Sequence, residues 1–227
     1  MQETQTAIPI IPMKPLAEGK TRLARQLTAE QRGELVVGML RRVIMAIRGA
    51  SIELFWVIGG DERIRNVTRN YGGLWLEDLG RNLNDTVSKA FERASRQGNS
   101  ALYLPGDLPF LKPSDIHSLL RSSERGNNIT LSPARRDGGT NGILVPYGIP
   151  FRPELGQRSF TKHLAQAAKM EISVAICYSP GLGFDLDTID DLESYEHMEP
   201  GLLKRLVPHW DSPPAISRQF PGYNQSP

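Results

Sequence analysis

The stretch that decides the fold runs from Ala7 to Ile47 and reads AIPIIPMKPLAEGKTRLARQLTAEQRGELVVGMLRRVIMAI. It opens with an apolar run, Ala7 to Pro12, of the length of a buried strand. It closes on Leu35, Val36, Met39, Leu40, Val43 and Ile47, which recur on one helical face. Between them Thr28 and Gln31 stand three apart, the spacing of a capping box that starts a helix. The pattern then repeats. A strand at Glu53 to Ile58 leads into a helix that Asp61 can cap, and Leu74 to Leu76 reads as a third, short strand. A helix from about Asn84 to Gln97 precedes the apolar strand Ala101 to Leu104, and Ser114 is placed to cap a short helix at Asp115 to Ser122. Strands follow at Ile129 to Ser132, Ile143 to Pro146 and Val174 to Tyr178, with a helix at about Phe160 to Lys169 between the last two. Thr188 is placed to cap a final helix near Ile189 to His197. Short apolar runs alternating with helical periods predict an α/β domain with a largely parallel sheet.

A chain of 227 residues, 39% hydrophobic, can bury one sizeable core, so residues 1–200 are read as a single domain. Beyond Pro200 the composition turns to Pro, Ser, Gln and Gly without sustained period, and residues 201–227 read as a C-terminal tail or arm. Lys and Arg number 27 against 25 for Asp and Glu, and a net charge of +2 gives no field suited to nucleic acid. Anions must therefore be bound at a local site. The one cysteine, Cys177, excludes an internal disulfide, and its apolar neighbours point to a buried strand thiol. No run approaches the roughly 18 apolar residues of a membrane span, and Met1 to Thr6 lacks the basic start of a signal peptide. A cytoplasmic protein with no membrane partner is expected; a homodimer stays open.

Four loops carry the chemistry, each after an expected strand, where open α/β sheets bind ligands. In Met13 to Leu23, Lys14, Lys20 and Arg22 surround Gly19 ahead of a helix, a composition suited to a triphosphate. Gly19, Lys20 and Thr21 imitate half of a P-loop, but Lys14 stands where its first glycine belongs and Pro15 removes a backbone N–H. A basic surface loop is the plainer alternative. In PGDLPFL, Asp107 is held between Pro105 and Pro109, stiffly enough for a hard-cation ligand, or serves as a turn aspartate. DGGTNG, with Thr140 and Asn141, either admits a ligand against bare backbone or turns a hairpin. Downstream, Gly156 and Ser159 precede a helix, so Ser159 is an anion contact or simply an N-cap. In GFDLDTIDD, an extended backbone would point Asp185 and Asp187 to one side, where they repel unless a cation neutralises them. Asp190 and Asp191 read as first-turn helix acids.

Together, KPLAEGKTRL, LPGDLP, GGTN and FDLDT, in this order between about Ile8 and Glu193, resemble the guanylyltransferases of coenzyme F-420 biosynthesis. These look similar to molybdenum-cofactor guanylyltransferases and sugar-phosphate nucleotidyltransferases. The resemblance implies a three-layer Rossmann-like nucleotidyltransferase fold with a mixed, mostly parallel sheet. It implies GTP and a small phosphorylated carboxylic acid as substrates, with pyrophosphate released. Asp107, Asp185 and Asp187 match the family's Mg²⁺ ligands, and Thr140, Gly156 and Ser159 match its phospho-acid clasp. Lys14, Gly19, Lys20 and Arg22 match its nucleotide-phosphate loop, Lys14, Lys20, Arg22 and Asp107 being the catalytic set. Where the family shows Gly-Leu-Asn, this chain has Asn82, Leu83 and Asn84, with Asn84 matching the nucleotide contact. A molybdopterin or sugar-phosphate nucleotidyltransferase would share the loop and Asp107 but not the acceptor pocket, and a non-catalytic nucleotide-binding module would have no need of three acids.

Overall fold

The computed structural model describes residues 7–123 and 128–209. The readings made for Met1 to Thr6 and for the tail from residue 210 onward lie outside the described residues. Strands β1 (Ala7–Met13), β2 (Trp56–Gly59), β3 (Leu74–Leu76), β4 (Ser100–Tyr103), β5 (Ile129–Pro133), β6 (Thr140–Val145) and β7 (Val174–Ile176) form one sheet in the order β3-β2-β1-β4-β6-β5-β7. Neighbouring strands are parallel except where β6 pairs antiparallel with β4 and β5. The reversed β6 starts at the edge where the other strands end. Thr140 and Asn141, at its first positions, therefore lie on the same edge as the loops after β1 and β4.

The sheet is buried on both sides because the strands alternate their apolar residues between faces. Ile11, Val57 and Leu102 pack under α1 (Ala29–Gly49), α2 (Glu62–Asn70) and α4 (Pro113–Arg121). Ile8, Ile10, Trp56, Ile58 and Tyr103 pack under α3 (Leu83–Arg96) and α5 (Ser159–Lys169). Each fully buried Ile or Val stabilises the layers by about 1.5–3 kcal/mol. The helix starts largely follow the expected caps: Thr28 and Gln31 cap α1 reciprocally, Asp61 accepts from Arg63 N and Ile64 N, and Thr188 caps α7 (Ile189–Met198). Helix α4 is the exception. It begins at Pro113 rather than after Ser114, because proline suits the first helical position and Asp115 accepts the Lys112 N–H at 2.7 Å.

Two further differences bear on the ends of elements. The expected strand at residues 143–146 starts three residues earlier, at Thr140, since β5 and β6 form a hairpin through Gly138 and Gly139. The chain also does not leave the domain at residue 201. After a short helix, α6 (Pro180–Gly183), and α7, helix α8 (Leu202–Leu206) buries Leu202, Leu203 and Leu206 beside α1. Gly38 makes this approach possible, because a Cβ there would lie 2.1 Å from the Leu206 carbonyl oxygen. The three leucines form an apolar face that the polar composition around them conceals. Among the described residues no helix is long and apolar enough to cross a membrane.

Candidate active site

Strands β2 and β3 extend the sheet to one side of β1 and β4 extends it to the other, so the β1/β4 boundary is the switch point where such sheets open a crevice. A cleft of about 700 Å³ opens there. Beyond β1 the chain makes two 3₁₀ turns, Leu16–Glu18 and Thr21–Leu23, with Lys20 between them at φ 48° and ψ 40°. A non-glycine residue in this left-handed region costs on the order of 1 kcal/mol or more, so its surroundings must hold it. They do. Lys20 Nζ donates to Asp107 Oδ2 at 2.5 Å and to Asp187 Oδ1 at 2.8 Å, and its side chain is only 8% exposed.

The two aspartates are brought together by backbone. Leu186 N donates to the Asp107 carbonyl oxygen at 3.2 Å, stitching residues 185–187 against the loop after β4. Leu186 is fully buried and the half-buried Asp185 and Asp187 flank it, Asp187 lining the cleft and Asp185 meeting Asn141 beside it. Asp185 accepts from Asn141 Nδ2 at 3.3 Å, and Asp187 lies 3.7 Å from Arg22. Burial alone would lower the pKa of Lys20, but Asp107 and Asp187 outweigh it and raise the pKa. Burial would raise that of Asp187, and Lys20 and Arg22 pull it down. Asp185 faces no cation directly, and burial together with the charge of Asp107 raises its pKa.

Lys14, Gly19, Lys20 and Arg22 all line the cleft. Asp107 and Asp187 meet at Lys20, and Asp185 lies near enough to feel the charge of both, but the three do not surround an open cation site. Among the described residues no three acidic, histidine or cysteine side chains form a ready metal cluster, and the Lys20 ammonium stands between Asp107 and Asp187. With two carboxylates this close, the nearest fixed cation neutralises them. The donor set nonetheless fits a hard divalent ion. Asp107 Oδ1 is buried without a hydrogen-bond partner among the described residues, a costly state for a charged acceptor that a cation would relieve.

The expected acceptor residues form a second cluster. Ser159 Oγ lies 3.1 Å from Thr140 Oγ1, which lies 3.0 Å from His163 Nδ1, and all three residues are buried. Glu154 N donates to His163 Nε2 at 2.9 Å, so the neutral ring carries its proton on Nδ1 and donates it to Thr140. Burial, with a smaller effect from Lys162, lowers the His163 pKa to about 4 and keeps the ring neutral. Two hydroxyls that also bond each other keep one O–H over. Gly156, at φ 117°, makes the turn that leads into α5. None of the three expected residues lines the cleft itself.

Asn84 requires a correction. Its Nδ2 donates to Leu155 O at 3.3 Å and its Oδ1 accepts from Leu155 N at 2.7 Å, so both ends of the amide tie α3 to the turn before α5. The cleft is lined instead by its neighbours Asn82 and Leu83. At two positions the sequence left a role unread. His163 gave no signal, being a lone histidine on a helix face. Asp191 accepts from Asp187 N at 3.0 Å and Thr188 N at 2.7 Å and pairs with Arg136, so the first-turn acid of α7 also fixes the backbone of Asp187. The Thr188–Asp191 spacing announces the cap but not the second duty.

The family described as "Guanylyl transferase CofC like" matches residues 7–198. The chain belongs to this family. The chain is 35% identical over 190 residues to the phosphoenolpyruvate guanylyltransferase of Rubrobacter xylanophilus, covering 82% of this chain and 92% of that protein. It is 32% identical over 199 residues to the 2-phospho-L-lactate guanylyltransferase of Methanocaldococcus infernus, covering 87% and 88%. Among solved structures it resembles one from Desulfovibrio desulfuricans G20 described as a nucleotide-diphospho-sugar transferase, with a TM-score of 0.73, 15% identity and coverage of 89% and 92%, a likeness of fold. This CofC-like chain is an enzyme of the nucleotidyltransferase type.

Proposed function

We propose that the enzyme transfers the guanosine monophosphate unit of GTP to a small phosphorylated carboxylic acid and releases pyrophosphate, a cytoplasmic step of coenzyme F-420 biosynthesis. The acceptor is phosphoenolpyruvate, 2-phospho-L-lactate or 3-phosphoglycerate. The observation that carries this reading is the Lys20–Asp107–Asp187 cluster at the switch point, with Lys14 and Arg22 beside it and Asp107 Oδ1 unpartnered among the described residues.

A phosphate oxygen of the acceptor attacks the α-phosphorus of GTP in line with the bond to the β-bridging oxygen. The new P–O bond forms, that bond breaks, and its electron pair leaves with pyrophosphate. The acceptor phosphate is mostly dianionic at neutral pH, so no general base is needed. Lys20, turned from the aspartates toward the nucleotide, joins Lys14 and Arg22 in neutralising the triphosphate. Asp107, Asp185 and Asp187 then have oxygens available for Mg²⁺, which would supply charge stabilisation at the reacting phosphoryl group. On the acceptor side, Ser159 heads α5, Arg158 offers this helix no side-chain cap, and the spare hydroxyl hydrogen of the Thr140–Ser159 pair can be donated to an anion.

Incubating the enzyme with GTP, Mg²⁺ and each acid separately, with pyrophosphate as readout, tests the proposal. Release should depend on one of the three acids. Release that requires a sugar phosphate or a molybdopterin instead would replace it.

A further inference from the structure

Glu77 and Asp78 follow β3 directly and line the far end of the cleft from Lys20 and Asp107. In the order β3-β2-β1-β4, three interstrand gaps, roughly 14 Å, separate these ends. Asp78 is committed: its Oδ1 accepts from the Thr86 hydroxyl and from Gly80 N at 3.1 Å, holding the loop before α3. Glu77, by contrast, has no hydrogen bond or ion pair among the described residues. Between the two ends the floor is bare backbone at Gly59 and Gly60, both at positive φ, and Leu83 exposes 44% of its surface at the wall.

The geometry points to Glu77 as the group that reads guanine; this rests on the proposed use of GTP. With the phosphates at Lys20, a nucleotide laid along the sheet edge brings its base over Gly59–Gly60, beside Leu83. Backbone below and an apolar side chain beside suit any base, so these surfaces do not discriminate. Discrimination falls to the uncommitted carboxylate. Guanine offers two adjacent donors, N1–H and the 2-amino group, and a carboxylate accepts both in a charge-assisted pair. Adenine offers an acceptor at N1, which would face a negative oxygen. Glu77 is therefore a specificity-determining residue, outside the phosphate and aspartate machinery.

The test is a nucleotide panel of GTP, ITP, XTP and ATP with the full-length enzyme and Glu77→Gln, read as kcat/KM and as nucleotide affinity by calorimetry. Glutamine keeps one acceptor for N1–H but turns a donor toward position 2, where guanine has an amino group and xanthine an oxygen. We expect GTP to fall by about thirtyfold or more and XTP to overtake it, with the parent's preference for GTP over ITP lost in the variant. Asp78→Asn should lower the melting temperature and leave the GTP to XTP ratio as in the parent. The inference is overturned if Glu77→Gln keeps GTP within about threefold and gains no XTP use, or if Asp78→Asn produces the switch instead. A parent that uses no GTP at all would instead overturn the guanylyl-transfer reading beneath it.

Discussion

Two polar clusters sit along one edge of the sheet, Lys20–Asp107–Asp187 and Thr140–Ser159–His163, and they differ in how fully their groups are engaged. In the first, one oxygen of Asp107 has no partner among the described residues, the Asp187 side chain is 40% exposed, and Asp185 has a raised pKa. In the second, both His163 nitrogens are engaged and Thr140 and Ser159 are 4% and 1% exposed. The first is built to exchange partners and the second to hold a shape. A ligand entering the first replaces interactions that are already incomplete. A ligand reaching the second takes up one spare hydroxyl hydrogen.

Asp107→Asn should break the contrast most sharply. Turnover should fall by on the order of a hundredfold or more as charge at the reacting centre is lost, while the fold survives because Lys20 keeps its ion pair with Asp187 and an amide oxygen can still accept its second hydrogen bond. Steady-state kinetics and a melting curve check this. Lys20→Met should cut turnover by about thirtyfold and, by leaving two carboxylates facing each other, cost about 1–2 kcal/mol without metal. Mg²⁺ alone should then raise the melting temperature of Lys20→Met by more than that of the parent. Equal shifts would mean that Lys20 does not occupy the cation position.

The closed cluster should show itself in pH rather than in turnover. Native His163 is protonated only below about pH 4, against an ordinary value near 6.5. As pH falls the unfolded chain therefore takes up the proton first, so the stabilisation is whole above pH 6.5 and declines between there and about pH 4. Chemical denaturation should lose about 1.5 kcal/mol between pH 6.5 and pH 5 from this group. His163→Asn should be less stable at neutral pH and lack that part of the slope. The smallest effect is expected for Ser159→Ala, which should raise the KM for the acceptor by about tenfold and leave GTP affinity unchanged. Calorimetry showing the reverse would move the acceptor elsewhere.

Much of the fold was legible because local signals and burial agree. The apolar run from Ala7 to Pro12 and the caps at Thr28, Asp61 and Thr188 each specify an element without help from the rest of the chain. The reversed direction of β6 was not, since antiparallel pairing depends on where the chain returns and not on its own residues. In the site, the period of two around the buried Leu186 was readable at Asp185 and Asp187. The Lys20 bridge was not, because it joins residues 87 and 167 positions apart. Asn84 misled for a similar reason: its side chain meets Leu155, 71 positions away, and only the folded chain shows that its amide is taken.

The most direct test of the account is phosphorus NMR of the products formed from GTP, Mg²⁺ and the active phospho-acid, for the parent and for Asp107→Asn. The parent should give free pyrophosphate together with two coupled resonances of a new diphosphate linkage to guanosine, and the variant should give neither at a comparable rate. Formation of GDP and inorganic phosphate by the parent, or an unchanged product rate in the variant, would contradict guanylyl transfer at the Lys20–Asp107–Asp187 centre.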